Sequence, residues 1–179
     1  MLLLGPIPST SGFGPVPRGH PDVMAHVEFE VHHRFEASPR AVWDELVDWA
    51  GHADWIPMTR VDVESDDPTA VGARFTATTG LGPLALPDRM EVLQCDWDDV
   101  SSSGSCEVSK LGPVLRGRAG FTVRADGDGT ALHWVEDVTV PYTPQFLAPV
   151  LEFLGAQGFS AGMRKLAELL ARRAPAGPA

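Results

Sequence analysis

Residues 26–49 read HVEFEVHHRFEASPRAVWDELVDW, and the hydrophobic period changes once within them. From His26 to Glu36 the side chains alternate: Val27, Phe29, Val31, His33 and Phe35 share one face, while Glu28, Glu30, His32, Arg34 and Glu36 share the other. A period of two with one apolar face is the pattern of a half-buried strand. Ser38 then stands where a helix N-cap belongs and Pro39 at the first helical position, after which Val42, Trp43, Leu46, Val47 and Trp49 supply a helical apolar stripe. The stretch predicts a strand that runs straight into a short amphipathic helix. Gly51 to Pro57 breaks that period and leaves room for one more helical turn around His52 to Trp55.

Downstream, strand-like runs at about 59–65, 70–79, 84–95, 103–111, 114–125 and 130–140 are separated by Asp-Asp-Pro, Gly-Leu-Gly-Pro, Ser-Ser-Ser-Gly, Leu-Gly-Pro and Asp-Gly-Asp-Gly. Connections this short join antiparallel neighbours, and the order lacks the strand–helix–strand alternation of a parallel sheet. Beyond Pro141 the period becomes helical again, with Phe159, Met163, Leu166 and Leu170 on one face and Arg172 and Arg173 at the negative end of the dipole. Pro149 is expected to interrupt or kink the early part of this long helix. Gly155, Gly158 and Gly162 each cost about 1 kcal/mol of helix propensity relative to Ala, so something other than propensity must favour them. Residues 1–23, dense in glycine and proline, are expected to form a disordered leader, with Met24 a candidate initiator; residues 174–179 read as a frayed tail. One domain, residues 24–173, lies between them.

The 24 acidic residues outnumber the 14 basic ones, and no cluster of Lys and Arg locally reverses the net charge of -10. Such a surface repels phosphate backbones and anionic headgroups, which argues against nucleic acid and membrane-surface partners. No uncharged apolar run reaches the roughly 20 residues of a membrane helix, and Met1–Leu4 is too short for an export signal. No stable membrane insertion and a cytoplasmic location are therefore expected. Cys95 and Cys106 would lie opposite one another in a hairpin turning near Val100; a disulfide is geometrically conceivable, but reduced thiols suit that compartment better. Nucleophile elbows, phosphate-binding glycine loops and paired metal-ligand spacings are all missing, so neither cofactor nor metal is expected. Oligomeric state is left open.

Four local patterns occur in a familiar order: Ser38-Pro39-Arg40-Ala41-Val42-Trp43-Asp44, the segment from Trp49 to Trp55-Ile56-Pro57, Val71-Gly72-Ala73-Arg74-Phe75, and Gly129-Thr130-Ala131-Leu132-His133-Trp134. Together they resemble the SRPBCC superfamily, which contains START lipid-transfer domains, birch-pollen-allergen-like proteins and the polyketide cyclase/dehydrase family, over about residues 26–173. The resemblance implies an α+β helix-grip fold: a curved seven-stranded antiparallel sheet wrapped around the long C-terminal helix, with two short helices after the first strand. It also implies an internal cavity for a small hydrophobic ligand such as a lipid, isoprenoid or polyketide. Binding or carriage is the leading expectation and a cyclase or dehydratase-like reaction the alternative, because fold does not assign chemistry.

On the last strand Leu132, Trp134, Glu136, Val138 and Val140 share a face, which turns the Glu136 carboxylate inward among apolar groups. It is expected either to pair with an arginine (Arg74, Arg89, Arg116 or Arg118), the favoured reading, or to anchor a ligand or move a proton with a raised pKa. His33, on the apolar face of the first strand, is the other candidate acid or base, although a satisfied rim histidine is the plainer reading. Trp55, Phe75, Met90, Phe121, Trp134, Phe153, Phe159 and Met163 are expected, as a set, to line the ligand's walls.

Overall fold

The computed structural model describes residues 24–173, apart from positions 81, 83 and 84. In chain order its elements are β1 (Met24–Phe35), α1 (Pro39–Val47), α2 (His52–Trp55), β2 (Thr59–Val63), β3 (Arg74–Thr79), β4 (Leu86–Asp98), β5 (Ser103–Leu111), β6 (Arg116–Asp126), β7 (Gly129–Pro141) and α3 (Ala148–Arg173). A 3-10 turn at Gln145–Leu147 leads into α3. The seven strands form one sheet in the order β1-β7-β6-β5-β4-β3-β2. Each pairing is antiparallel, and the curved sheet grips α3 as expected. The expected leader and tail lie outside the described residues.

The first and last strands pair along their whole length, from Met24↔Pro141 to Phe35↔Thr130. The alternation of β1 puts Ala25, Val27, Val31 and Phe35 in the core. Ser38 Oγ then accepts a hydrogen bond from the Ala41 N–H at 3.4 Å, Pro39 opens α1, and Val42, Trp43 and Leu46 are buried beneath it. Trp49 lies stacked on Phe75 at 4.4 Å, tying the end of α1 to the far side of the sheet. α3 closes the concave face with Gly162, Met163, Leu166 and Leu170, and its last turn ion-pairs Arg173 with Glu45 of α1.

Three expectations change in detail. β3 begins at Arg74 rather than near residue 70, because Gly72 at φ +87° turns the chain and its N–H donates to Val92 O at 2.8 Å. β4 continues to Asp98, reaching the turn at its tip. Pro149 does not interrupt α3, since the helix starts at Ala148 and the proline sits in the first turn, where its missing N–H has no partner to lose. Of the three glycines, Gly155 is explained by contact, since a Cβ there would lie 2.5 Å from Phe29 Cε1; Gly162 is also close, 3.4 Å from the Trp55 ring. Among the described residues nothing lies within 4 Å of a Cβ at Gly158, and no contact explains that glycine.

Cys95 and Cys106 are register partners across the β4–β5 hairpin, and both are free thiols. The hydrogen bond with Cys95, followed by burial, pushes the Cys106 thiol up. Among the described residues, no helix is long and apolar enough to cross a membrane.

Candidate functional site

One end of the sheet gathers the end of β3, the start of β4, the β5–β6 connection, the end of β7 and the start of α3. Just inside it, three strands place charged side chains on the concave face. On β5 the buried positions alternate as Cys106, Val108 and Lys110. On β7 they alternate as Leu132, Trp134, Glu136 and Val138. Asp88 approaches from β4, two residues before Met90, the register partner of Lys110.

Lys110 Nζ donates to Asp88 Oδ2 at 2.6 Å and lies 3.4 Å from Glu136 Oε2 and 3.8 Å from Met90 Sδ. The Trp134 indole N–H donates to Glu136 Oε1 at 3.2 Å. The Lys110 and Glu136 side chains are 5% and 4% exposed, and Asp88 Oδ1 is buried with no hydrogen-bond partner among the described residues. Gly117 sits between Lys110 and Val138 in the ladder at φ +138°; a Cβ there would lie 2.2 Å from Asp137 O, so the strands close beside the cluster only around glycine.

One ammonium faces two carboxylates out of water, an arrangement with a net charge of about -1 when all are ionised. Burial alone would push the Lys110 amine down, but Glu136 and Asp88 together hold it above its usual range. Burial pushes the Glu136 carboxyl up, against the pull of Lys110, and Asp88 adds to the rise. Lys110 is therefore held as a cation in short contact with Asp88, and burial makes the Glu136 carboxyl easier to protonate than an exposed one. That gives the interior a protonatable carboxyl held by an indole donor and an ammonium, a group able to donate to, or accept from, one polar atom of a bound molecule.

Beside it stands an aromatic wall. Phe121 stacks on Trp134 at 5.3 Å, Trp134 meets Phe159 at 4.9 Å, and Phe159 meets Phe29 at 5.7 Å. The structure thus brings together Met90, Phe121, Trp134, Glu136 and Phe159 of the expected set. Trp55, Phe75 and Met163 are buried in the same hydrophobic core, where Trp55 packs against His52, and Phe75, the register partner of Met90, packs against Trp49. Phe153 is a correction: it is 62% exposed. It lies six residues before Phe159, about 240° around a helix, which turns it to the outer side with Val150 and Leu154.

Two further expectations are revised. Glu136 pairs with Lys110 rather than with an arginine; Arg74 and Arg118 pair instead with Glu91 and Glu107. His33 does face inward, against Phe35 at 4.6 Å, with burial and then Arg164 pushing its imidazole down. However, its register partner is Leu132, whereas Glu136 pairs with Phe29, four residues away along β1. That is roughly 14 Å of strand, so the two share no proton. Sequence reasoning missed Lys110, whose signal is the parity it shares with Cys106 and Val108.

The family model for polyketide cyclase/dehydrase and lipid transport matches residues 26–174. No curated protein matches the chain. Solved structures do. The TTHA0849 protein of Thermus thermophilus superposes with a TM-score of 0.64 at 14% identity, over 82% of this chain and 99% of that one. The Zhui aromatase/cyclase of Streptomyces sp. R1128 gives 0.60 at 21% identity, over 87% and 99%. A STAR-related lipid transfer protein fragment of Xanthomonas axonopodis gives 0.59 at 15% identity, over 78% and 83%.

Proposed function

The chain belongs to the polyketide cyclase/dehydrase and lipid transport family, and we propose that it binds a small hydrophobic molecule between the inner face of the sheet and the first half of α3, with the molecule's polar end at Glu136. The observation that carries this reading is the buried Asp88–Lys110–Glu136 cluster set against the Phe121–Trp134–Phe159 wall. Packing does not call for it, because apolar residues of similar volume would be as stable or more so. A few convergent polar groups among aromatic ones are what orient an apolar ligand with one hydroxyl or carbonyl. Lipids, isoprenoids and polyketides all fit the description, and one of the structural neighbours is named as a lipid transfer protein.

Glu136→Gln keeps shape and hydrogen bonding while leaving the Lys110–Asp88 pair intact. The variant is expected to stay folded, to lose less than about 1 kcal/mol of stability, and to bind a long-chain alcohol or an environment-sensitive apolar dye at least about 10-fold more weakly, read by tryptophan fluorescence. Failure of every apolar probe to bind the wild type saturably contradicts the reading.

A second reading rests on the same carboxyl. When protonated, Glu136 beside a cationic Lys110 would be a donor suited to a carbonyl oxygen, which supports a cyclase or dehydratase-like reaction on a polyketide folded in that space. The two are separated by turnover of a poly-β-ketone thioester: product formed by the wild type and lost in Glu136→Gln marks the enzyme, and binding without conversion marks the carrier.

A further inference from the structure

The outer face of the sheet carries a second constellation, on the pairing of β1 with β7. His32 and His133 are direct register partners, and Glu30 precedes His32 by two residues on the same face. His133 Nε2 lies 2.9 Å from Glu30 Oε2, and His32 Nε2 lies 3.5 Å from the same oxygen. The two imidazoles stack at 4.3 Å, 2° from parallel. We propose that Glu30, His32 and His133 form a binding site for a borderline divalent transition-metal cation, Zn²⁺ above all, with water completing the coordination.

The donor set is right for that ion: two neutral imidazole nitrogens and one carboxylate oxygen, with a fourth position open to solvent. The spacing is close to right as well. All three ligand atoms lie within 4.8 Å of one another. Bonds of about 2.0–2.2 Å in a tetrahedral site require separations of roughly 3.3–3.5 Å, so closure needs movements of about 1 Å. The side chains are free to make them, at 52% exposure for Glu30, 72% for His32 and 33% for His133. The backbone beneath is not free to move, since the β1–β7 ladder pairs both strands from end to end.

Charge favours a cation here. Glu28 and Asp137 are the next cross-strand pair but one along the same face, and the whole chain carries -10. One metal ion would use a lone pair of each stacked imidazole and the carboxylate together. Such an ion would clamp the first strand to the last from the face opposite Glu136, so the site stands independently of the ligand proposed there. Sequence spacing concealed it, because His133 joins the other two only through the pairing of distant strands.

The full chain, stripped with a chelator and dialysed, is titrated with Zn²⁺ by calorimetry, and with Co²⁺ by absorption spectroscopy. One equivalent should bind saturably, raise the melting temperature with increasing free Zn²⁺, and give the intense visible bands of low-coordinate Co²⁺. His32→Asn and His133→Asn should each keep the wild-type circular dichroism spectrum and weaken binding by at least about 10-fold. His26→Asn, on the same face and bonded to Asp137, should leave it unchanged. Absence of saturable Zn²⁺ binding by the wild type up to about 1 mM overturns the assignment; so does binding that persists unaltered in both histidine variants.

Discussion

Lys110 is the residue on which the buried cluster balances. Replacing it with Met leaves Asp88 and Glu136 as two desolvated carboxylates without a cation, and urea unfolding at neutral pH should show a loss of about 3–5 kcal/mol. Adding Asp88→Asn to that variant should recover much of the loss, because Glu136 can then be protonated without a charged neighbour. A second residue-scale effect comes from His52, whose Nε2 lies 2.8 Å from Leu46 O. Burial pushes its imidazole down to about 4 from 6.5. Between those values the unfolded chain takes up a proton that the folded chain refuses. Stability should therefore fall as pH drops from 6.5 towards 4, by about 3 kcal/mol from this group, and be unaffected by it above 6.5. Comparing wild type with His52→Gln by urea unfolding at about pH 7 and about pH 4.5 checks this, since the variant should show the smaller decline. Glu136 was readable because an acidic residue interrupted an apolar parity. Lys110 was not, since a lysine at a strand's end ordinarily reads as a solvated rim residue, and its burial depends on acids supplied by two other strands.

At the scale of elements, the β6–β7 approach beside the cluster depends on Gly117. Gly117→Ala should cost about 2–4 kcal/mol, through both the positive φ and the clash with Asp137 O, read as a lowered urea midpoint with an unchanged slope. On α3, by contrast, Phe153→Ser should change stability by less than about 0.5 kcal/mol, because the side chain stands in solvent. β1 and α1 were legible from sequence because alternation, cap and stripe agree over residues 26–49. The start of β3 was not, since Ala70 and Val71 carry strand-like side chains through what is a turn. Phe153 and Pro149 were misread for one shared reason: without a fixed start for α3, neither the phase of its faces nor the position of its first turn can be assigned.

Across the whole molecule, the order of elements was legible because every connection within the meander is short enough to force antiparallel neighbours. What joins distant parts was not. The pairing of β1 with β7 brings His133 to Glu30 and His32 on one face, and sets Phe29 beside Glu136 on the other. The outer constellation is a product of that closure, and the inner one of the stacking of β4 to β7, neither of which local periodicity encodes. The inner one carries the central claim, that this fold holds a small apolar molecule by its polar end. Native mass spectrometry of the chain isolated from its own host, followed by organic extraction, tests it most directly. The expected result is a discrete adduct that extracts as an apolar compound and is depleted in Glu136→Gln isolated the same way. A bare chain mass in the wild type, with no apolar molecule in the extract and none taken up when offered, contradicts the account.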